Sequence, residues 1–321
     1  MNSTRVLVTG ANGFVGSALC RSLADSGHMV RAALRTDGPL PAGAAQKVIV
    51  GDITAAVDWG PVLIGVDAVV HAAARAHILH DSAENAALYL AANLHATARL
   101  AEAAARAEVR RFVYLSSIKV NGEETDTRAF GPTDRPNPQD AYGRSKLLAE
   151  QALLEISART GMEVAIVRPP LVYGPGVRAN FLRLLRWVDA GWPLPLGRVD
   201  NRRSLVSVWN VCSLLVRLLG KGVPSGRVWL VSDGEDLSTP ELIRRLGVAM
   251  GRRVTLLPVP VALLRGGAAL VGKGGEVARL CGSLSLDISQ TRTALGWSAP
   301  VPTNEALART AVWYGRDRNS R

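Results

Sequence analysis

Tyr142 and Lys146 stand at the two ends of Tyr-Gly-Arg-Ser-Lys, a spacing that puts both side chains on one face of a helix. A phenol is a poor base at neutral pH, with a pKa near ~10, and a neighbouring ammonium stabilises its phenolate. The pair therefore predicts an acid/base tyrosine tuned by Lys146, which can also hold a ribose hydroxyl. Ahead of it, Tyr114-Leu115-Ser116-Ser117 reads as a strand ending in two serines. Those hydroxyls are candidates to join Tyr142.

A second chemical feature lies at the start of the chain. Gly10-Ala11-Asn12-Gly13-Phe14-Val15-Gly16 follows a strand-like run and opens a helix. Glycines there permit a tight turn and close backbone approach, so a dinucleotide pyrophosphate can sit on the free N–H groups and positive dipole end of the helix. At the end of the second strand-like run, Arg31-Ala32-Ala33-Leu34-Arg35 closes on a base, and the first acid is Asp37. A 2′-hydroxyl binder normally offers an acid at this point and a 2′-phosphate binder an arginine. Arg35 predicts NADP(H), with NAD(H) as the alternative.

The elements that must hold these groups alternate short β-branched runs with longer Ala- and Leu-rich stretches. Strands are predicted at 6–9, 30–34, 48–50, 68–71, 112–115 and 164–167, and helices at 13–26, 84–107 and 141–159. Strands that are apolar on both faces predict an α/β protein of Rossmann type, a doubly wound parallel sheet with buried faces. After Arg168-Pro169-Pro170 the texture changes to shorter, Pro- and Gly-rich elements. The expected division is a dinucleotide-binding domain at 1–175, with returning strands near 203–232, and a smaller interleaved substrate-binding region at 176–321.

Of 321 residues 48% are hydrophobic and 20% charged, which excludes intrinsic disorder, and the net charge is +11. Only five of the 38 basic residues are lysine, and the arginines are scattered. Without basic runs or interleaved aromatics, no nucleic-acid partner is expected, and small anionic ligands suit the charge better. Cys20, Cys212 and Cys281 are too few and too widely spaced for a disulfide framework, and the expected location is the reducing cytoplasm. The longest apolar stretch, 254–271, is broken by Pro258, Pro260, Arg265 and two glycines, so no membrane span is expected. His77, His80 and Asp81 read as solvated loop residues, with no metal expected.

The spacing Gly-x-x-Gly-x-x-Gly after Thr9 resembles the extended short-chain dehydrogenase/reductase family, NAD(P)-dependent enzymes that act on sugar nucleotides. Further residues extend the likeness along the chain. Gly51-Asp52-Ile53 is similar to the family's adenine-contacting loop, His71-Ala72-Ala73-Ala74 to its segment along the cofactor, and Asn93 with Thr97 to its Asn-x-x-x-Thr element. The stretch 168–176, Arg-Pro-Pro-Leu-Val-Tyr-Gly-Pro-Gly, resembles the family segment that bridges cofactor and sugar, and implies contacts from Arg168 and Pro169. Within Ser117-Ile118-Lys119-Val120-Asn121-Gly122 the likeness selects Ser117 as catalytic hydroxyl, with Ser116 supporting the turn beside the cofactor. Asn121 stands where the family usually has tyrosine, and Lys119 where many members have a neutral residue.

In the later half, Arg203 matches the family arginine that grips a substrate diphosphate, a task suited to its planar fork. Asn180 is expected to face the nucleotide, and Lys119 the substrate or solvent. Ile118-Lys119 replaces the Asp-Glu pair that a 4,6-dehydratase needs. The likeness implies chemistry at C4 of a UDP-sugar. The leading expectation is an NADPH-dependent reductase of a UDP-4-keto-6-deoxy-N-acetylhexosamine for O-antigen or other lipopolysaccharide synthesis. The alternatives are a UDP-hexose 4-epimerase holding NAD tightly and a non-catalytic NADP-binding regulator. The family also implies a homodimer.

Overall fold

The computed structural model describes residues 3–76, 83–270, 272 and 274–319. Its strands are β1 (Arg5–Thr9), β2 (Met29–Leu34), β3 (Gln46–Ile49), β4 (Ala68–His71), β5 (Arg111–Leu115), β6 (Glu163–Arg168), β7 (Leu171–Tyr173), β8 (Arg203–Ser207), β9 (Arg227–Leu230) and β10 (Asp236–Leu237). The helices are α1 (Phe14–Asp25), α2 (Gly60–Leu63), α3 (Ala83–Tyr89), α4 (Ala96–Arg106), α5 (Ala141–Thr160), α6 (Ala179–Ala190), α7 (Val208–Arg217), α8 (Thr239–Met250), α9 (Val261–Leu270), α10 (Gly274–Cys281), α11 (Ser289–Leu295) and α12 (Thr303–Asn319).

Seven strands form a parallel sheet in the order β3-β2-β1-β4-β5-β6-β9. Alternation along β1 shows why both faces are closed. Val6 and Val8 enter one apolar cluster with α1 and α7, while Leu7 enters another with α2, α4 and α5. This is the doubly wound Rossmann-type α/β fold, whose ligands bind outside the carboxyl ends of the strands. Arg111 fixes the far end of the sheet: its buried guanidinium binds Glu163 and the carbonyls of Leu218 and Val223.

β8 differs from expectation. It pairs with β7 and β10 in a separate three-stranded sheet, and only β9 of the late strands returns to the main sheet. Its apolar pattern satisfies burial in either sheet; Leu205 packs with α6 and α8 in a third cluster, while Val206 faces the first. The expected helix 84–107 is also interrupted. A π-helical segment, Leu90–His95, lies between α3 and α4.

Candidate active site

Gly10 has φ +67°, and a Cβ there would stand 2.8 Å from the Ala73 nitrogen; a Cβ on Gly16 would reach within 2.0 Å of the Gly10 carbonyl oxygen. Only glycine permits this approach. The Gly13 N–H donates to Gly10 O at 2.9 Å, and Gly13 caps α1 without a side-chain bond, with no acid in the first turn. The first N–H groups of a helix lack intrahelical acceptors, so this end suits a pyrophosphate. Asn12, Phe14 and Val15 complete the loop, with Phe14 reaching toward Gly176. The geometry fits the dinucleotide expected from the sequence.

Beside the loop runs a neutral buried network. The Thr97 hydroxyl donates to Asn93 O at 2.7 Å, and its oxygen lies 3.0 Å from His71 Nε2; His71 Nδ1 lies 2.6 Å from the Thr9 hydroxyl. Thr9 in turn accepts from the Ala73 N–H at 3.3 Å. The bonds are consistent only with His71 carrying its proton on Nε2. Burial, and secondarily the charge of Lys146, pushes His71 down to about 3, so it is neutral. His71 thus supports the loop of Ala72 and Ala73. Asn93 likewise clamps that loop: Oδ1 accepts from Arg75 N–H at 2.9 Å, and Nδ2 donates to Arg75 O and Ser145 Oγ. The π turn is where this side chain leaves the helix, a common setting for functional residues.

At the end of β5, Ser117 opens a short turn and accepts from the Lys119 N–H. Asp140 caps α5, its Oδ1 accepting from Gly143 N–H at 2.7 Å, so Tyr142 falls in the first turn. The Ser117 side chain faces the phenol of Tyr142, whose ring packs 5.7 Å from that of Tyr89. Ser117, Tyr142 and Lys146 are therefore brought together as the sequence predicted. Their electrostatics are not. Burial pushes the Tyr142 phenol up to about 12, opposed by the Ser117 side chain and aided by the Asp140 charge. Lys146 is 1% exposed and is pushed down by burial to about 7, Glu150 opposing. Its Nζ donates to Leu115 O at 2.9 Å and lies 6.0 Å from the Tyr142 ring centroid. The expected lowering of the phenol by Lys146 is absent from this state because burial acts on both groups, and Lys146 itself titrates near neutrality.

A charged network lies behind these residues. Arg168 grips Glu150 with two nitrogens, at 3.0 and 2.5 Å, and its third donates to Asn121 Oδ1 at 2.8 Å. Ser116 donates to the same Glu150 carboxylate, and Asn121 Nδ2 donates to Gly131 O. Arg168 is only 4% exposed, and all its guanidinium nitrogens are bonded inside the protein. The Pro169 carbonyl accepts from Ile118 N–H at 2.9 Å and shapes the Ser117 turn. Glu150 was not singled out by sequence; its position four residues beyond Lys146 on the same helix face was the available signal.

The remaining assignments separate. Lys119 is drawn from the substrate to Asp140 and Glu123, at 2.5 and 2.8 Å. Arg203 Nη1 donates to Arg279 O and Gly282 O, both at 2.8 Å; burial lowers its pKa, Glu124 opposing and Arg279 adding. Asn180 is exposed in the first turn of α6, after Ala179 at φ +50°. Arg35 is 75% exposed and lies 3.4 Å from Asp52, whose carboxylate also accepts from Thr54 just after Ile53. The three cysteines are free and buried. His77, His80 and Asp81 lie outside the described residues. No helix among the described residues is long and apolar enough to cross a membrane.

With this geometry in view, a family model described as the NAD dependent epimerase/dehydratase family matches residues 6–232. The chain belongs to that family. A UDP-glucose 4-epimerase of Vibrio cholerae is 42% identical over 318 residues, covering 98% of this chain and 96% of its own. A 3-beta-hydroxysteroid dehydrogenase of Mycolicibacterium neoaurum is 30% identical over 341 residues, covering 97% and 91%. Among solved structures, MoeE5 in complex with UDP-glucose and NAD superposes with a TM-score of 0.79 at 30% identity, covering 98% of this chain and 99% of its own. An enzyme of the epimerase/dehydratase family uses a nicotinamide cofactor, which accords with the fit of the glycine loop. The extended short-chain dehydrogenase/reductase likeness read from the motifs is thereby correct.

Proposed function

We propose that the chain is an oxidoreductase working at C4 of a UDP-sugar, and that its reaction is a UDP-hexose 4-epimerisation with NAD held on the glycine loop. The observation that carries this reading is the placing of Ser117 and Tyr142 beside Lys146, at the same carboxyl end of the sheet as the glycine loop. Bound there, NAD supplies the acceptor and donor of hydride. Ser117 hydrogen-bonds the C4 oxygen, and Tyr142 moves the proton on that oxygen. Lys146 orients the ribose. Gly10, Asn12, Gly13, Phe14, Val15 and Gly16 hold the pyrophosphate, Asp52 and Ile53 flank the adenine, and Ala72 and Ala73 border the nicotinamide half. Residues 1–175 hold the cofactor and 176–321 the sugar nucleotide, with Arg203 at the diphosphate and Asn180 near the nucleotide. We place a homodimer contact on α5, where Leu148 is exposed. The 42% identity to a UDP-glucose 4-epimerase supports the epimerase over its relatives.

A second reading keeps the site and changes the direction of use. In it the enzyme draws on NADPH to reduce a UDP-4-keto-6-deoxy-N-acetylhexosamine for cell-surface polysaccharide. The exposed Arg35 at the end of β2 favours it. Purified protein given UDP-glucose or UDP-N-acetylglucosamine without added cofactor should form the C4 epimer, followed by NMR. NADPH consumption with the 4-keto sugar, and no epimer, would replace the first reading by the second. In either case Tyr142→Phe should lower turnover by about 10²–10⁴-fold while cofactor binding stays; unchanged turnover rejects both.

A further inference from the structure

Lys119 follows Ser117 by two residues, and Asp140 precedes Tyr142 by two, so a single ion pair joins the two segments that carry the reacting hydroxyls. We propose that Lys119 is a positioning residue, which fastens the Ser117 turn to the N-terminus of α5 and cancels the Asp140 carboxylate beside Tyr142. The proposal rests on the reading of Ser117 and Tyr142 given above.

Each link in the fastening is visible. Lys119 Nζ donates to Asp140 Oδ2 at 2.5 Å and to Glu123 Oε1 at 2.8 Å, with 33%, 25% and 25% of the three side chains exposed. The other Asp140 oxygen accepts the Gly143 N–H, so the carboxylate that receives Lys119 also caps the helix of Tyr142. Backbone contact gives independent support. A Cβ on Gly143 would stand 2.8 Å from the Lys119 carbonyl oxygen and 3.0 Å from Pro138 Cβ. The Ser117 turn therefore lies directly on the first turn of α5, and a shift of the one displaces the other. Because aligned reacting groups depend on such small displacements, the link acts on rate rather than on affinity.

The charge has a separate effect. Tyr142 is faced by Ser117 from the β5 turn, Asp140 from its own cap, Tyr89 from α3, Tyr114 from β5 and Lys146 from its own helix. Of these, Asp140 brings a negative charge that raises the phenol. Lys119 and Arg144 offset that charge, and Arg144 is exposed. Burial works to protonate the Asp140 carboxyl, but Lys119 and the Gly143 N–H outweigh it and hold the group below its usual range. Asp140 is thus ionised, and without Lys119 its field reaches Tyr142 largely uncompensated.

The test compares Lys119→Met, Lys119→Arg and the double variant Lys119→Met with Asp140→Asn in the cofactor-loaded enzyme. Two quantities are read: kcat against KM for UDP-glucose, and the tyrosinate absorbance that Tyr142→Phe removes. Lys119→Met should lower kcat about tenfold with KM changed less than about twofold, and should move the Tyr142 titration to higher pH. Lys119→Arg should retain most of the rate. The double variant should bring the titration back while leaving kcat low, because it removes the charge without restoring the fastening. A titration that stays put in Lys119→Met, or shifts equally in the double variant, overturns the proposal. If Lys119→Met does not fold, Asp140→Asn alone should lower the titration, and its failure to do so overturns the charge argument equally. The absorbance readout needs no substrate, so it stands even where the epimerase reading fails.

Discussion

Two buried polar networks flank Lys146, and they are built on opposite principles. On the β4 side, Thr9, His71, Thr97 and Asn93 form a chain of neutral hydrogen bonds, in which burial strips His71 of its charge. On the β6 side, the guanidinium fork of Arg168 meets the Glu150 carboxylate, with Ser116 and Asn121 bonded to the pair, all at 2–4% exposure. The neutral network holds the loop of Ala73 and Arg75; the charged one holds Ser116 and, through Asn121, the turn after β5. Between them Lys146 feels burial from both and an opposing charge only from Glu150. A buried lysine near pH 7 follows from that asymmetry.

The largest effect should come from breaking the charged side. Glu150→Ala leaves the Arg168 guanidinium buried and unpaired, and should cost about 3–5 kcal/mol of unfolding free energy in denaturant titration. A loss under about 1 kcal/mol would mean that water reaches Arg168, and the contrast between the networks would disappear. Acid should single out the neutral side. The folded pKa of His71, about 3, lies below the 6.5 of an unperturbed histidine. The unfolded chain therefore takes the proton first, so this stability is complete above about pH 6.5 and drains away as the pH falls toward 3. At pH 4.5 the loss should be about 2–3 kcal/mol, and His71→Gln should remove that part of the acid sensitivity. If the variant titrates like the parent, the window belongs to other groups. The smallest change, about 1–2 kcal/mol, is expected for Thr97→Val, which takes away the partner of His71 Nε2 without burying a charge.

The networks also show which parts of the site a sequence can reveal. The glycine loop and the Tyr142–Lys146 pair are legible because their function depends on spacing within one turn or one helix. The parallel sheet is legible because strands buried on both faces are apolar throughout. Arg168, Arg203 and Lys119 read as cations for a ligand, since residue type announces the charge, while the protein partners each of them also holds are fixed only by tertiary folding. Glu150, Asn121 and the Gly282 carbonyl stand 18, 47 and 79 residues from the arginines they bind. The placement of β8 was hidden for a related reason: Leu205 and Val206 suit any buried strand, and their types do not distinguish pairing with β7 from pairing in the main sheet.

The π-helical turn at Leu90–His95 sets the phase of everything that follows it. A residue removed there would rotate the downstream helix by about 100° relative to the upstream part. Thr97 would swing from His71, and Leu100, Ala101 and Ala104 would leave the sheet face that they now cover. One surplus residue thus keeps two rotational settings in the same rod, one chosen by the Arg75 loop and one by the sheet, and a length-conserving substitution is the only change this stretch can absorb.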